Sequence, residues 1–293
     1  MGTREKKQEL WQAATDGDLG TVRSLCGDAS VDVNWVDEER GRSVFYRAVQ
    51  FGHQAVVEYL MGDPRVNVTQ QHKEGHTPFC KACGEGHLGL VLLLMADPRV
   101  DVNLPQNEGG SPFLFACQEG RTRIVQLLLN DPRVDVTLSL RDGTTPYCVA
   151  SHRGHAEVIA LLLDDPRIEV NRGMADGTSP LWFSSQNGHL AVVQLVLASH
   201  RDMDTRLRSN WNKKTAAEHA RWAALQPTWD SPHDSVERRS LNCPPIALLL
   251  DEYEVDPPSV RDRLRLLPVI RGTAPPPSPS PPPTPPSHFF SFG

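Results

Sequence analysis

Cys80-Lys81-Ala82-Cys83 is a CxxC pair, and His72, His76 and His87 lie close to it in the chain. Thiolates and imidazoles at such spacing suit a zinc site or a dithiol redox centre. Histidines recur elsewhere, as His53, His155 and His189, which raises acid–base chemistry. A second pattern accounts for most of these residues. Asp-Pro-Arg recurs with its Asp at 63, 97, 131 and 165, in steps of 34, and Ser/Thr-Pro recurs at Thr77, Ser111, Thr145 and Ser179 in the same step. Within that register Cys80 shares a column with Tyr46, Leu114, Cys148 and Trp182, Cys83 one with Cys117, and His87 one with His53, His155 and His189. Repeat position therefore explains them without chemistry. There is no Gly-rich phosphate loop, no GxSxG and no HExxH. The expectation is no catalytic residue, no cofactor, no metal ligand and no enzyme. The competing reading is a metal-binding or redox protein that uses Cys80 and Cys83, which a bound metal or a shifted thiol pKa would favour.

The elements that carry these columns follow from one repeat. Ser or Thr caps the free N–H groups of a helix, and Pro at its first position has no N–H to strand. The helix runs to Gly52, Gly86, Gly120, Gly154 or Gly188, a residue type that takes the left-handed conformation ending a helix. Its inner column is small: Ala48, Ala82, Ala116, Ala150 and Ser184. A second helix follows, with an apolar pair and then a triplet, as in Ile124-Val125 with Leu127-Leu128-Leu129. Five apolar positions in six exceed one face, so this helix must be packed on several sides by stacked neighbours. Asp-Pro then ends it, and Arg-Val-Asp-Val leads into an extended, β-prone turn.

Ser/Thr-Pro-x-x-x-Ala, the Gly-His that opens the second helix, Val-Val-x-Leu-Leu-Leu and the closing Asp-Val-Asn resemble the ankyrin repeat over roughly residues 8 to 205. The resemblance implies an all-α solenoid of stacked helix-turn-helix units with short hairpin loops. Departures are a unit of 34 rather than 33 residues, an apolar column where the family has a His after Thr-Pro-Leu, and Arg121 in place of the Gly-His imidazole. The expected organisation is a capping repeat over 8–40 and five repeats over 41–208, starting near 41, 75, 109, 143 and 177. A degenerate repeat over 209–256 carries an inserted loop at about 222–242. A terminal helix over 257–270 and a disordered Pro-rich tail over 271–293 complete the chain. The C-terminal part is similar to the endings of large ankyrin families of unicellular eukaryotes and fungi.

The chain has a net charge of −6 and no basic run, which argues against nucleic acid. No stretch is long and apolar enough for a membrane span. Six cysteines without a pattern of their own fit a reducing compartment, so cytoplasm or nucleus is expected. No signal peptide is read at the N-terminus. The tail offers PxxP spacings at Pro276–Pro279 and Pro283–Pro286, a preformed ligand for an SH3- or WW-type domain, and Ser278-Pro279 and Thr284-Pro285 as phosphorylation sites.

The resemblance implies that a partner protein docks on the concave face, formed by hairpin tips and the outer side of each first helix. Carried over position by position, the candidates are Arg42, Gln50, Phe51, His76, Glu85, Gln118, Glu119, Arg141, His152, Arg153, Gln186 and Asn187. Arg40 and Glu74 lie on the same hairpin row. These positions vary between units while the packing columns repeat. Phe51 is the leading anchor, since aromatic residues dominate hot spots. Its truncation is expected to spare stability and weaken binding. The function expected is a monomeric adaptor or scaffold; an array without a fixed partner is the other alternative.

Overall fold

The computed structural model describes residues 3–210, 212–225 and 236–267. The Pro-rich tail with its PxxP and phosphorylation motifs, together with Trp211 and Trp229, lies outside these residues. Helices α1 (Thr3–Asp16) and α2 (Leu19–Cys26) form the first pair. Five pairs follow: α3 (Val44–Gln50) with α4 (Gln54–Met61), α5 (Pro78–Glu85) with α6 (Leu88–Met95), α7 (Pro112–Gln118) with α8 (Thr122–Leu129), α9 (Pro146–Arg153) with α10 (Ala156–Asp164), and α11 (Pro180–Gln186) with α12 (Leu190–Ala198). Helices α13 (Ala216–Ala224), α14 (Val236–Val255) and α15 (Pro257–Arg265) end the stack. Each first helix packs on the next first helix, from α1 through α13. Among the described residues, β-pairing is limited to one isolated bridge, Val36–Ser43. The segment after Asp-Pro-Arg is thus a series of tight turns rather than an extended strand.

Capping follows the sequence rule. Ser43, Thr77, Ser111, Thr145 and Ser179 each accept the N–H of the residue three positions on, with Pro at the start of four of the five helices. The small column, Ala48 to Ser184, is fully buried, which is what lets the first helices approach one another. The second helices bury Val56, Val57 and Leu60, then Leu90, Val91 and Leu94, and so on along the stack.

Three rows of side-chain hydrogen bonds lace one unit to the next, beside a row of backbone bonds between hairpin tips such as Asn107 N to Glu74 O. His53 Nε2 meets Thr15 O at 2.7 Å, His87 Nε2 meets Gln50 O at 3.0 Å, His155 Nε2 meets Gln118 O at 2.9 Å and His189 Nε2 meets His152 O at 2.9 Å. Arg121 Nε donates to Gly84 O at 2.8 Å and so replaces the missing imidazole. The imidazole packs so close that a Cβ at Gly154 would lie 2.3 Å from His189 Nδ1. The Asp-Pro-Arg arginines form the second row. Each forks onto the Asp two residues before it and reaches back to a carbonyl at the end of the preceding second helix: Arg65 to Cys26 O (2.7 Å), Arg99 to Met61 O (3.0 Å), Arg133 to Met95 O (3.2 Å) and Arg167 to Leu129 O (2.8 Å). These carbonyls have no partner within their own helix. In the third row, Asn34 bonds Arg65 O and Asn67 N, Asn103 bonds Arg133 O and Asp135 N, and Asn171 bonds Asp202 O and Asp204 N. Thr69 and Thr137, at the alternate positions, bond Asn67 and Asp135 of their own turns.

The ends differ from the repeats and from expectation. Helix α1 starts at Thr3, ahead of the expected cap boundary at 8. The expected loop at 222–242 is narrower, because α13 runs to Ala224 and α14 already begins at Val236, with Pro244 and Pro245 inside it. A capping box of Thr215 and Glu218 starts α13. Helix α15 packs on α12 and α14, and Arg265 Nε donates to Ala198 O at 3.1 Å, capping the last carbonyl of α12. Among the described residues no helix is long and apolar enough to cross a membrane.

Candidate protein-binding groove

Hairpin tips and first helices of three consecutive units enclose a cavity of about 360 Å³. Arg42, Gln50, His76, Glu85, Gln118 and Glu119, six of the twelve expected site residues, line it. Its floor is a row of rings that the sequence columns did not reveal. Tyr46 meets His72 edge-on at 5.1 Å between centroids, His72 meets His76 at 5.0 Å, and His76 meets Phe115 at 4.7 Å. The four rings come from three units and from separate columns, so no repeating signal marks them. Arg40, Arg42, Lys81 and Arg121 bring positive charge to the wall, and Glu74, Glu85 and Glu119 negative charge. Lys81 pairs with Glu85, and Arg42 Nε pairs with Asp37 at 3.1 Å.

Burial tunes the floor. It holds His72 below the usual histidine value, and it pushes His76 down to about 4, with the neighbouring His72 adding to the effect. Both imidazoles are neutral at neutral pH. Burial also raises the Tyr46 hydroxyl and the Cys80 thiol. Cys80 and Cys83 are 1% and 0% exposed, and Cys83 sits in the continuous apolar core. Burial raises the Cys83 thiol as well. These are poor thiolates, so the paired-cysteine redox reading finds no support in their surroundings.

The remaining expected residues fall elsewhere. Phe51 is 46% exposed but sits beside the groove, where the Arg47 guanidinium lies 4.4 Å from its ring and 4.3 Å from that of Trp11. Arg141, His152 and Arg153 are exposed further along the stack, and Gln186 is half-buried. Asn187 corrects the surface reading: it is 3% exposed, and its Nδ2 donates to His152 O at 2.9 Å. It occupies the last regular unit, on which α13 and α14 pack, so the variable position there has become an interior one.

A family model described as ankyrin repeats (3 copies) matches residues 10–106, 48–139 and 113–208. None of the curated proteins matches in sequence. Among solved structures, the crystal structure of the ankyrin repeat domain of Bcl-3, a member of the IkappaB protein family, superposes with a TM-score of 0.58 at 22% identity. The superposition covers 72% of this chain and 92% of that one. At that identity the likeness concerns the fold. Ankyrin repeats are generally protein–protein interaction modules, and with matches running from residue 10 to residue 208 this chain belongs to the ankyrin-repeat family.

Proposed function

We propose that this protein is a non-enzymatic adaptor or scaffold that holds a partner protein on its concave face, centred on the groove between Tyr46 and Phe115. The observation that carries this reading is the ring row Tyr46–His72–His76–Phe115, set in a cavity whose rim bears both charge signs. Aromatic floors ringed by charge are how interfaces concentrate affinity and specificity. The anchor thereby shifts from Phe51 towards Phe115. A cytoplasmic or nuclear monomer remains the setting proposed. The test is recovery of partners from native cells with the intact chain, with Phe115→Ala/Glu85→Lys, and with Arg141→Glu as a control outside the groove. The groove variant should lose the partner, and calorimetry with the identified partner should show affinity down about tenfold or more. Equal retention by all three would refute the groove as the site.

A further inference from the structure

We propose that His72, Glu74 and His76 form a site for one divalent transition-metal ion of the zinc type at the mouth of the groove, with its fourth coordination position open. The nitrogen of each imidazole and the carboxylate oxygen lie within 4.8 Å of one another, a spread that small side-chain rotations close to coordination distance. The backbone that carries them is fixed. His72 N donates to His76 O at 3.2 Å, Gly75 N donates to His72 O at 2.8 Å, and Gln71 Nε2 donates to Gly75 O at 2.7 Å. This tight turn puts residues 72 and 76 side by side, with the tip residue 74 between them. It is held from the next unit too, since Asn107 N donates to Glu74 O at 3.1 Å.

The hairpin does not itself require these imidazoles. One unit on, the positions of His72 and His76 hold Gln106 and Gly110, and later units place Leu140 with Thr144 and Met174 with Thr178 in the same turn. The tip stays acidic in these later units, as Glu108, Asp142 and Asp176, so the pair of histidines is what distinguishes this unit from them. Two nitrogens and one carboxylate oxygen suit zinc, cobalt, nickel or copper, whereas calcium and magnesium call for oxygen ligands. The second ring nitrogen of His76 is also engaged: its Nδ1 lies 3.4 Å from Cys80 Sγ, which orients the ring so that Nε2 is left for a ligand. His72 Nδ1 accepts the Glu74 N–H at 2.9 Å. An ion exchanges this neutral hydrogen bond for a stronger metal–imidazole bond. Because the site opens into the groove, its fourth ligand is a water or a donor atom of the bound protein.

The probes are Zn²⁺ and Co²⁺ alone, titrated into the full chain. Calorimetry should give one ion per chain, Co²⁺ should develop the visible absorption of a low-symmetry site, and Zn²⁺ should raise the thermal midpoint. His72→Ala, His76→Ala and Glu74→Gln should each weaken binding about tenfold or more, while His200→Asn, at an exposed histidine elsewhere, should leave it unchanged. Circular dichroism melts of the variants without metal establish that they remain folded. Absence of saturable binding, binding that survives the His72→Ala/His76→Ala pair, or equal loss in His200→Asn would each overturn the proposal. None of these outcomes depends on finding a protein partner, so the site and the adaptor reading fail separately.

Discussion

Truncating Arg99 measures what the 34-residue period adds to the stack. Its guanidinium forks onto Asp97, with Nε–Oδ1 at 3.0 Å and the terminal nitrogen–Oδ2 contact at 2.6 Å, and it reaches Met61 O at 3.0 Å. The Arg99 side chain is 40% exposed, so the ion pair alone contributes between 0 and about 1 kcal/mol and is screened by salt. The charged donor on an otherwise orphaned helix carbonyl adds about 1 kcal/mol, part of which water restores after truncation. Arg99→Ala should therefore cost about 1–1.5 kcal/mol, a fall in midpoint of roughly 2–6 °C for an array of this size. Arg99→Lys keeps the charge but not the fork, and should recover less than half of the loss. Arg99→Ala/Arg167→Ala, two units apart with no shared partner, should add to about 2–3 kcal/mol. Urea unfolding followed by circular dichroism is the assay, with m compared between variants because arrays can lose all-or-none behaviour. An Arg99→Ala protein within about 0.3 kcal/mol of the parent would refute the argument, as would an Arg99→Lys protein equal to it.

Leu128, fully buried at the centre of the stack, should cost about 2–5 kcal/mol when replaced by Ala, measured by the same unfolding curves. All six cysteines are buried and free, so the native protein should show no fast-reacting thiol towards an aromatic disulfide reagent, and six after denaturation. Asp63, Asp97, Asp131 and Asp165 are held below the usual carboxylate value, first by the hydrogen bonds from their arginines. A depressed folded-state pKa stabilises above the unfolded value, about 3.9, and that stabilisation is lost as pH falls through the folded value. Thermal midpoints should thus hold above pH 5 and drop below about pH 4, and Asp97→Asn should flatten the drop.

What the chain disclosed in advance was whatever recurs. The caps at Thr77, Ser111 and Thr145, the Ala column and the Gly-His lacing each repeat at one period, so one unit interprets the rest. The groove does not recur. Phe115 shares its column with Arg47, Lys81, Val149 and Phe183, and nothing in that series marks it as the neighbour of His76. The contact arises because a hairpin residue of one unit faces a helix residue of the next, a relation between columns. Asn187 departs from the surface expectation for a related reason: exposure at its column holds only while another regular unit follows. The early start of α14 is not marked in the sequence, because Pro244 and Pro245 suggest a helix boundary whereas they lie within a continuing helix.

The alternation of Asn34, Thr69, Asn103, Thr137 and Asn171 divides the solenoid into couples. Turns joined through an asparagine share two extra hydrogen bonds, while the junctions following Thr69 and Thr137 keep the histidine and arginine rows and the hairpin-tip backbone bonds but lack that pair. Under tension applied along the stack, rupture would start at those two junctions and release the array in double units. Amide exchange would carry the same signature at rest, with the N–H groups of Asp101 and Glu169, across the junctions after Thr69 and Thr137, trading with solvent before those of Asn67 and Asp135, which Asn34 and Asn103 hold.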